Sequence, residues 1–171
     1  MKKTGVVFLD IDGVLQPFGN THRFDVDVKR VAQEYALSKG NQIYSELDPH
    51  DVCAVLLDWD KGAVSELQRI LDSTGAMLVV SSDWRDFNED AALEALLAIH
   101  GLDRYLLGSA TPFVSKPEAI TSYLDEHADE ISGYVILDDD PRVGVLHNAI
   151  VIKGKLTERD ADEAIAMLHS A

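Results

Sequence analysis

The sequence predicts an α/β fold of three layers: a parallel sheet with helices on both faces and a small insert after the first strand. Three observations carry this. Four short apolar runs are continuous rather than alternating, which is the pattern of strands buried on both faces. Amphipathic helical stretches lie between these runs, and strand–helix alternation calls for parallel pairing through right-handed crossovers. Each apolar run also stops abruptly at polar residues.

Taken in order, Gly5–Leu9 (GVVFL) is the first strand, and it ends at Asp10. Residues 16–60 break the plain alternation. They hold turn residues and one amphipathic helix, with Val28, Val31, Ala32, Tyr35 and Ala36 on one stripe and Gly40-Asn41 as its stop. An excursion of that length at the C-terminal edge of a parallel sheet is expected to act as a cap or flap beside the ligand crevice. Residues 61–73 form the first core helix, with Ala63, Val64, Leu67, Ile70 and Leu71 facing inward and Gly75 as its terminator. Ala76–Val80 (AMLVV) is the second strand. Residues 88–99 read as a helix with Asn88 as N-cap and Gly101 just beyond its end. Tyr105–Leu107 is a fifth strand candidate. Ser115-Lys116-Pro117-Glu118 is a capping box opening a helix, and Thr157–Asp160 is a second box before Ala161, Ala164, Ile165 and Leu168. Tyr134–Leu137 (YVIL) and Ala149–Ile152 (AIVI) complete the strands. No repeat, low-complexity tract or Pro/Gly/Ser-rich linker divides the chain, so residues 1–171 are expected to form a single domain.

Composition narrows the partners. Thirty acidic against fifteen basic residues give a net charge of −15 in 171 residues. Such a surface repels duplex phosphates and anionic lipids, so neither an extended nucleic-acid surface nor a membrane face is expected. A small phosphorylated ligand held by one lysine and a cation remains compatible. The single Cys53 excludes an intramolecular disulfide framework and a cysteine-cluster zinc site, and a reducing cytoplasm is the expected compartment. The six histidines show no metal-ligand spacing. Met1–Lys3 is basic, but the apolar run Val6–Leu9 is too short for a signal segment.

Ligands of open parallel sheets bind beyond the C-terminal strand ends. The residues there are Asp10-Ile11-Asp12-Gly13, Ser81-Ser82-Asp83 and Asp138-Asp139-Asp140, and Lys116 opens the helix before the last of these strands. Several carboxylates gathered together repel unless protonated or bridged by a cation. An all-oxygen donor set suits a hard ion, and Mg²⁺ commonly shares its shell with a substrate phosphate. Lys116 at a helix start favours an anion, and Ser81, and after it Ser82, can donate hydrogen bonds to a phosphoryl oxygen. An ionised aspartate can attack phosphorus, while a second one two residues on handles the leaving-group proton. Gly13 allows the sharp turn between them.

The motifs FLDIDGVL (Phe8–Leu15), LVVSS (Leu78–Ser82), the lysine of SKPEAI (Ser115–Ile120) and VILDDD (Val135–Asp140) occur in an order that resembles the haloacid dehalogenase-like (HAD-like) superfamily of phosphohydrolases. More narrowly, VVSSDWR (Val79–Arg85), YVILDDD (Tyr134–Asp140) and GKLTERDADEAI (Gly154–Ile165) look like the small HAD domains of Swiss-army-knife RNA repair proteins. The resemblance implies a Rossmann-like sheet and a Mg²⁺-dependent phosphomonoester hydrolase working through an aspartyl-phosphate. Asp10 would be the nucleophile and Asp12 the general acid and base. Ser81 and Lys116 would bind the phosphoryl group. Asp138 and Asp139 would complete a Mg²⁺ shell begun by the Asp10 side chain and the Asp12 carbonyl, with Asp140 a spectator. Which of Asp138 and Asp139 touches the ion, and which restrains Lys116, stays open at this level. The substrate would be a small phosphoester, a nucleotide or a nucleic-acid end.

The alternative is a non-catalytic phospho-ligand-binding or receiver-like regulatory domain. Receivers carry an adjacent acidic pair at the first strand, whereas Asp10 and Asp12 are spaced, and the insert at 16–60 is foreign to them. A degenerate binding domain would have lost side chains that are all present here. Around the site, Arg85 is read either as a substrate contact or as a surface ion pair. Trp59 and Trp84 are read as packed or as pocket-lining, and His22 and Arg23 as insert residues that could meet a substrate.

Overall fold

Strand β1 (Thr4–Leu9) lies at the centre of a five-stranded, wholly parallel sheet in the order β3-β2-β1-β4-β5. The other strands are β2 (Met77–Val80), β3 (Leu106–Ser109), β4 (Ile131–Asp138) and β5 (Ala149–Val151). The computed structural model describes residues 3–170; Met1, Lys2 and Ala171 lie outside the described residues, and with them most of the basic start. The strands expected from the apolar runs are present, including the fifth candidate, which begins one residue later, at Leu106. The architecture is α/β and Rossmann-like.

Side-chain alternation along these strands sorts the core into two layers. Val7, Leu9, Leu78, Val80, Val135 and Leu137 face one cluster, and Val6, Phe8, Val79 and Ile136 face the other. The larger cluster is covered by α1 (Val28–Lys39), α4 (Lys61–Thr74), α5 (Asp90–Ala98) and α7 (Glu158–His169). The smaller one is covered by α6 (Lys116–Glu126), through Ala119 and Ile120. The anticipated boundaries of α4 hold because Asp60 caps its start at Ala63 N (2.9 Å) and Gly75, in the left-handed region, ends it. The Thr157–Asp160 box closes in both directions, with Thr157 N donating to Asp160 Oδ2 (2.9 Å) and Asp160 N to Thr157 Oγ (3.4 Å). The Ser115 box forms its forward half, Glu118 N to Ser115 Oγ at 3.4 Å. The Asn88 cap is a correction. Glu89 occupies the N-cap position of α5, and the Asn88 amide instead donates to Asp51 Oδ2 (3.0 Å) and to the Trp84 carbonyl (3.2 Å).

Residues 16–60 are more helical than the turn-rich composition suggested. Besides α1 they contain α2 (Ile43–Glu46), α3 (Pro49–Cys53), a 3₁₀ turn at His22–Asp25 and a wide π turn at Ala54–Asp58. The start of α3 carries a signal that the turn-and-one-helix reading passed over: Asp48 accepts from His50 N (2.8 Å) and Pro49 follows at the first helical position. The insert is packed into the larger cluster through Ala32, Ala36, Tyr44, Val52 and Val55. Its entry is latched by Asp58, fully buried, which accepts from His22 N (2.7 Å), His22 Nδ1 (3.2 Å) and Arg23 Nη1 (3.0 Å). His22 and Arg23 therefore serve the fold of the insert. Among the described residues no helix is long and apolar enough to cross a membrane.

Candidate active site

The register of the sheet builds the site. Leu9 pairs with Val80 on one side and Leu137 on the other, so Asp10, Ser81 and Asp138 stand level at the strand ends. Backbone bonds lock that level: Asp10 N to the Leu137 carbonyl and Ser81 N to the Leu9 carbonyl, both at 2.9 Å. Alternation turns these three side chains toward the face of Phe8, Val79 and Ile136, the face that α6 covers. Lys116 sits in the first turn of α6, behind the Ser115 cap. Its Nζ lies 3.0 Å from Asp10 Oδ2 and 3.3 Å from each oxygen of Asp138. The residue that restrains Lys116 from the triple-aspartate run is thus Asp138.

Asp139 joins from the other side of the turn. One carboxylate oxygen from each of Asp10, Asp138 and Asp139 lies within 4.8 Å of the others. Gly13, at φ +78°, is what lets Asp139 approach, because a Cβ there would fall 2.5 Å from Asp139 Cγ. The donor set fits a hard divalent cation: three carboxylates, no sulfur or imidazole, and a buried Asp138 Oδ2 that has the Lys116 ammonium at 3.3 Å but no well-aligned hydrogen bond among the described residues. Asp12 adds no carboxylate to this cluster. Its Oδ2 accepts instead from the Trp84 indole at 3.0 Å.

Two buried carboxylates share one ammonium, and their electrostatics follow. Asp10 is 2% exposed. Burial, and then the charge of Asp138, push its carboxyl up to about 8, against the pull of Lys116 and the Ser82 hydroxyl. Burial raises Asp138 as well, opposed by the Asp140 backbone N–H and by Lys116. For Lys116, burial disfavours the charged form, but the facing Asp10 and Asp138 outweigh it and the net shift is upward. The group carries one negative charge too many for its burial, which a proton or a cation relieves.

A cleft of about 790 Å³ opens over this group, lined by Asp10, Asp12, Ser82, Lys116 and Asp139, with Phe18, Val114 and Arg142 at its sides. Ser82 is on the cleft wall, and its Oγ also caps the following 3₁₀ turn at Trp84 N (3.4 Å). Ser81 lies one residue back and fully buried; its hydroxyl has no hydrogen-bond partner among the described residues. Asp140 is occupied with Arg142, accepting from its backbone N–H (2.9 Å) and its guanidinium (2.6 Å at the shortest).

Arg85 is not on the cleft, and the expected ion pair is present only as a long contact, 3.5 Å to the exposed Asp83, from a guanidinium that is itself buried. That guanidinium donates to the carbonyls of Ser81 (2.6 Å), Val114 (2.9 Å) and Thr111 (3.1 Å), tying the end of β2 to the loop before Lys116. Trp59 is packed, stacked on His100 with ring centroids 5.5 Å apart. Trp84 lines a smaller cavity of about 390 Å³ that Asp12 also borders. Phe18 was missed; it is 70% exposed at the cleft, and only its place shortly after the first strand marked it in sequence.

A parallel sheet whose C-terminal edge gathers spaced aspartates and one lysine beside a helical insert is the arrangement of a HAD-type domain, and the comparison with known families agrees. The chain matches the family described as "HAD domain in Swiss Army Knife RNA repair proteins" over residues 6–161, and it belongs to that family. No curated protein and no solved structure matches it. Membership points to function of the phosphohydrolase type, and an acidic cluster able to hold a metal is present.

Proposed function

We propose that this chain is a Mg²⁺-dependent phosphomonoester hydrolase that forms an aspartyl-phosphate on Asp10. The observation that carries the proposal is the Asp10 carboxylate, 2% exposed at the floor of the cleft, 3.0 Å from the Lys116 ammonium and clustered with Asp138 and Asp139. Asp10, Asp138 and Asp139, with the Asp12 carbonyl, would hold the ion, which when bound offsets charge on Asp10 and on the phosphoryl oxygens.

In the first step an Asp10 carboxylate oxygen attacks phosphorus in line. The P–O ester bond breaks, its electron pair stays on the leaving oxygen, and Asp12 supplies the proton that makes it an alcohol. In the second step the Asp12 carboxylate takes a proton from water, whose oxygen displaces Asp10 from phosphorus and releases inorganic phosphate. Lys116 neutralises the transferring group, and the unpartnered Ser81 hydroxyl and the wall-lining Ser82 donate to its oxygens. The substrate class is a small phosphoester, a nucleotide or a short nucleic-acid end.

Phosphate release from a phosphoester panel, measured with Mg²⁺ and with chelator, tests this. Activity is expected with Mg²⁺ alone, and Asp10→Asn is expected to lower it by at least about 1,000-fold while circular dichroism stays unchanged. An active, folded Asp10→Asn protein would remove the nucleophile assignment. Phosphate binding without turnover in the wild-type chain would favour a non-catalytic domain.

A further inference from the structure

Asp12 stands on the turn after β1, yet its carboxylate is held from another part of the chain. The Trp84 indole Nε1–H donates to Asp12 Oδ2 at 3.0 Å, and no other side chain or backbone group among the described residues bonds that carboxylate. The donor is itself braced. Trp84 lies in the 3₁₀ turn Asp83–Asp86, and its own backbone N–H donates to the Ser82 hydroxyl that caps the turn. Its ring packs against Trp59 at a centroid distance of 6.1 Å and a tilt of 56°, and Trp59 is stacked on His100, whose Nε2 is 2.9 Å from the Val55 carbonyl oxygen. The Trp84 carbonyl in turn accepts from Asn88. An aspartate in a glycine-containing turn has several rotamers available, and one donor from a rigid aromatic stack selects among them.

We propose that Trp84 is a positioning residue for proton transfer to the leaving group. It occupies Oδ2 of Asp12 and leaves Oδ1 for the departing oxygen; this rests on the phosphohydrolase proposal, with Asp12 as the acid. The chemical step is unchanged: P–O cleavage leaves the electron pair on the leaving oxygen, and the Asp12 proton ends there. Trp84 affects how often the Asp12 carboxyl is turned toward the departing oxygen. The consequence is selective. A leaving group that departs as a stable anion, such as p-nitrophenolate, needs little protonation, whereas an alkoxide needs it fully.

The test compares kcat/KM for p-nitrophenyl phosphate and for an alkyl phosphate in three proteins with Mg²⁺: wild type, Trp84→Phe, and a chain carrying the benzothiophene isostere of tryptophan at position 84, which keeps shape and lacks the N–H. Either altered protein is expected to lose about 10–100-fold on the alkyl phosphate and less than about threefold on the aryl phosphate. Equal losses on the two substrates, or none, overturn the positioning role while leaving an Asp10-dependent hydrolase intact. If Trp84→Phe fails to fold, the isostere decides. Absence of any Mg²⁺-dependent phosphate release by the wild type removes the proposed function, and this inference with it.

Discussion

The Asp10 carboxyl is where burial and chemistry conflict most directly. Unfolded, it ionises near its ordinary value of 3.8; folded, burial and Asp138 push it up to about 8. Between these values the folded chain binds an extra proton, so its stability falls as pH rises, by at most about 1.4 kcal/mol per pH unit. The contribution is fully present below the lower value and lost once pH passes the upper one. Asp10→Asn removes the share of the dependence that belongs to Asp10, while the buried Asp138 keeps its own upward shift. With chelator present, the stability gained by Asp10→Asn over wild type, read from urea midpoints, should therefore grow from about pH 5 to about pH 8. A gain that shrinks over that range would contradict the burial assigned to this side chain. Asp10, Asp12 and Asp138 were legible in the sequence because each follows an apolar run, and strand ends converge in a parallel sheet. Trp84 and Arg85 were not. Their shorter bonds go to a carboxylate many residues away and to three backbone carbonyls, and a carbonyl acceptor carries no signature in the amino-acid string; only the long 3.5 Å contact of Arg85 with Asp83 is local.

Among the elements, the turn Asp83–Asp86 joins the parts of the site. Trp84 reaches from it to the β1 loop, and Arg85 reaches to the loop Thr111–Ser115 that leads into α6. That loop has no regular structure, and Phe113 within it sits at φ +59°, so its course depends on such ties. Replacing Arg85 by Met would leave the buried Ser81 carbonyl unpaired and remove the ties to the half-buried Val114 and the exposed Thr111, and should cost about 1–3 kcal/mol of stability. Arg85→Lys keeps the charge but lacks the planar fork that reaches three acceptors, so it should recover only part of that loss. Calorimetry of the two variants checks the order, and vanadate affinity should fall with it because the Lys116 helix start is displaced. Wild-type stability in Arg85→Met would show that the three bonds contribute little. The helices of the insert show the limit of pattern reading: α2 and α3 are too short for periodicity, and the Asp48-Pro49 start of α3 was passed over among the turn residues.

At the scale of the whole molecule, a net charge of −15 surrounds a site whose substrate is an anion. Lys116 and a bound cation attract a phosphate locally, over a distance comparable to the Debye length of about 8 Å at physiological salt. Phosphodiesters two or more nucleotides along a strand lie beyond that range, over a surface that repels them. Among the described residues no run of basic side chains follows the cleft; of its lining only Lys116 and Arg142 are cationic, and Arg142 is already paired with Asp140. Membership in a family named for RNA repair proteins therefore leaves a specific question of length. For 3′- or 5′-phosphorylated oligonucleotides at low salt, kcat/KM should fall as the chain grows from a mononucleotide to about ten residues, by roughly 10-fold or more. Added monovalent salt should narrow the gap, because screening weakens the repulsion of the distal phosphates more than the ion-held contact at the cleft floor. Steady-state kinetics on a length series at two salt concentrations reads both effects. The opposite pattern, in which longer strands are better substrates and salt suppresses them, would mean that this acidic surface contains a track for the strand and that net charge misrepresents the path to Asp10.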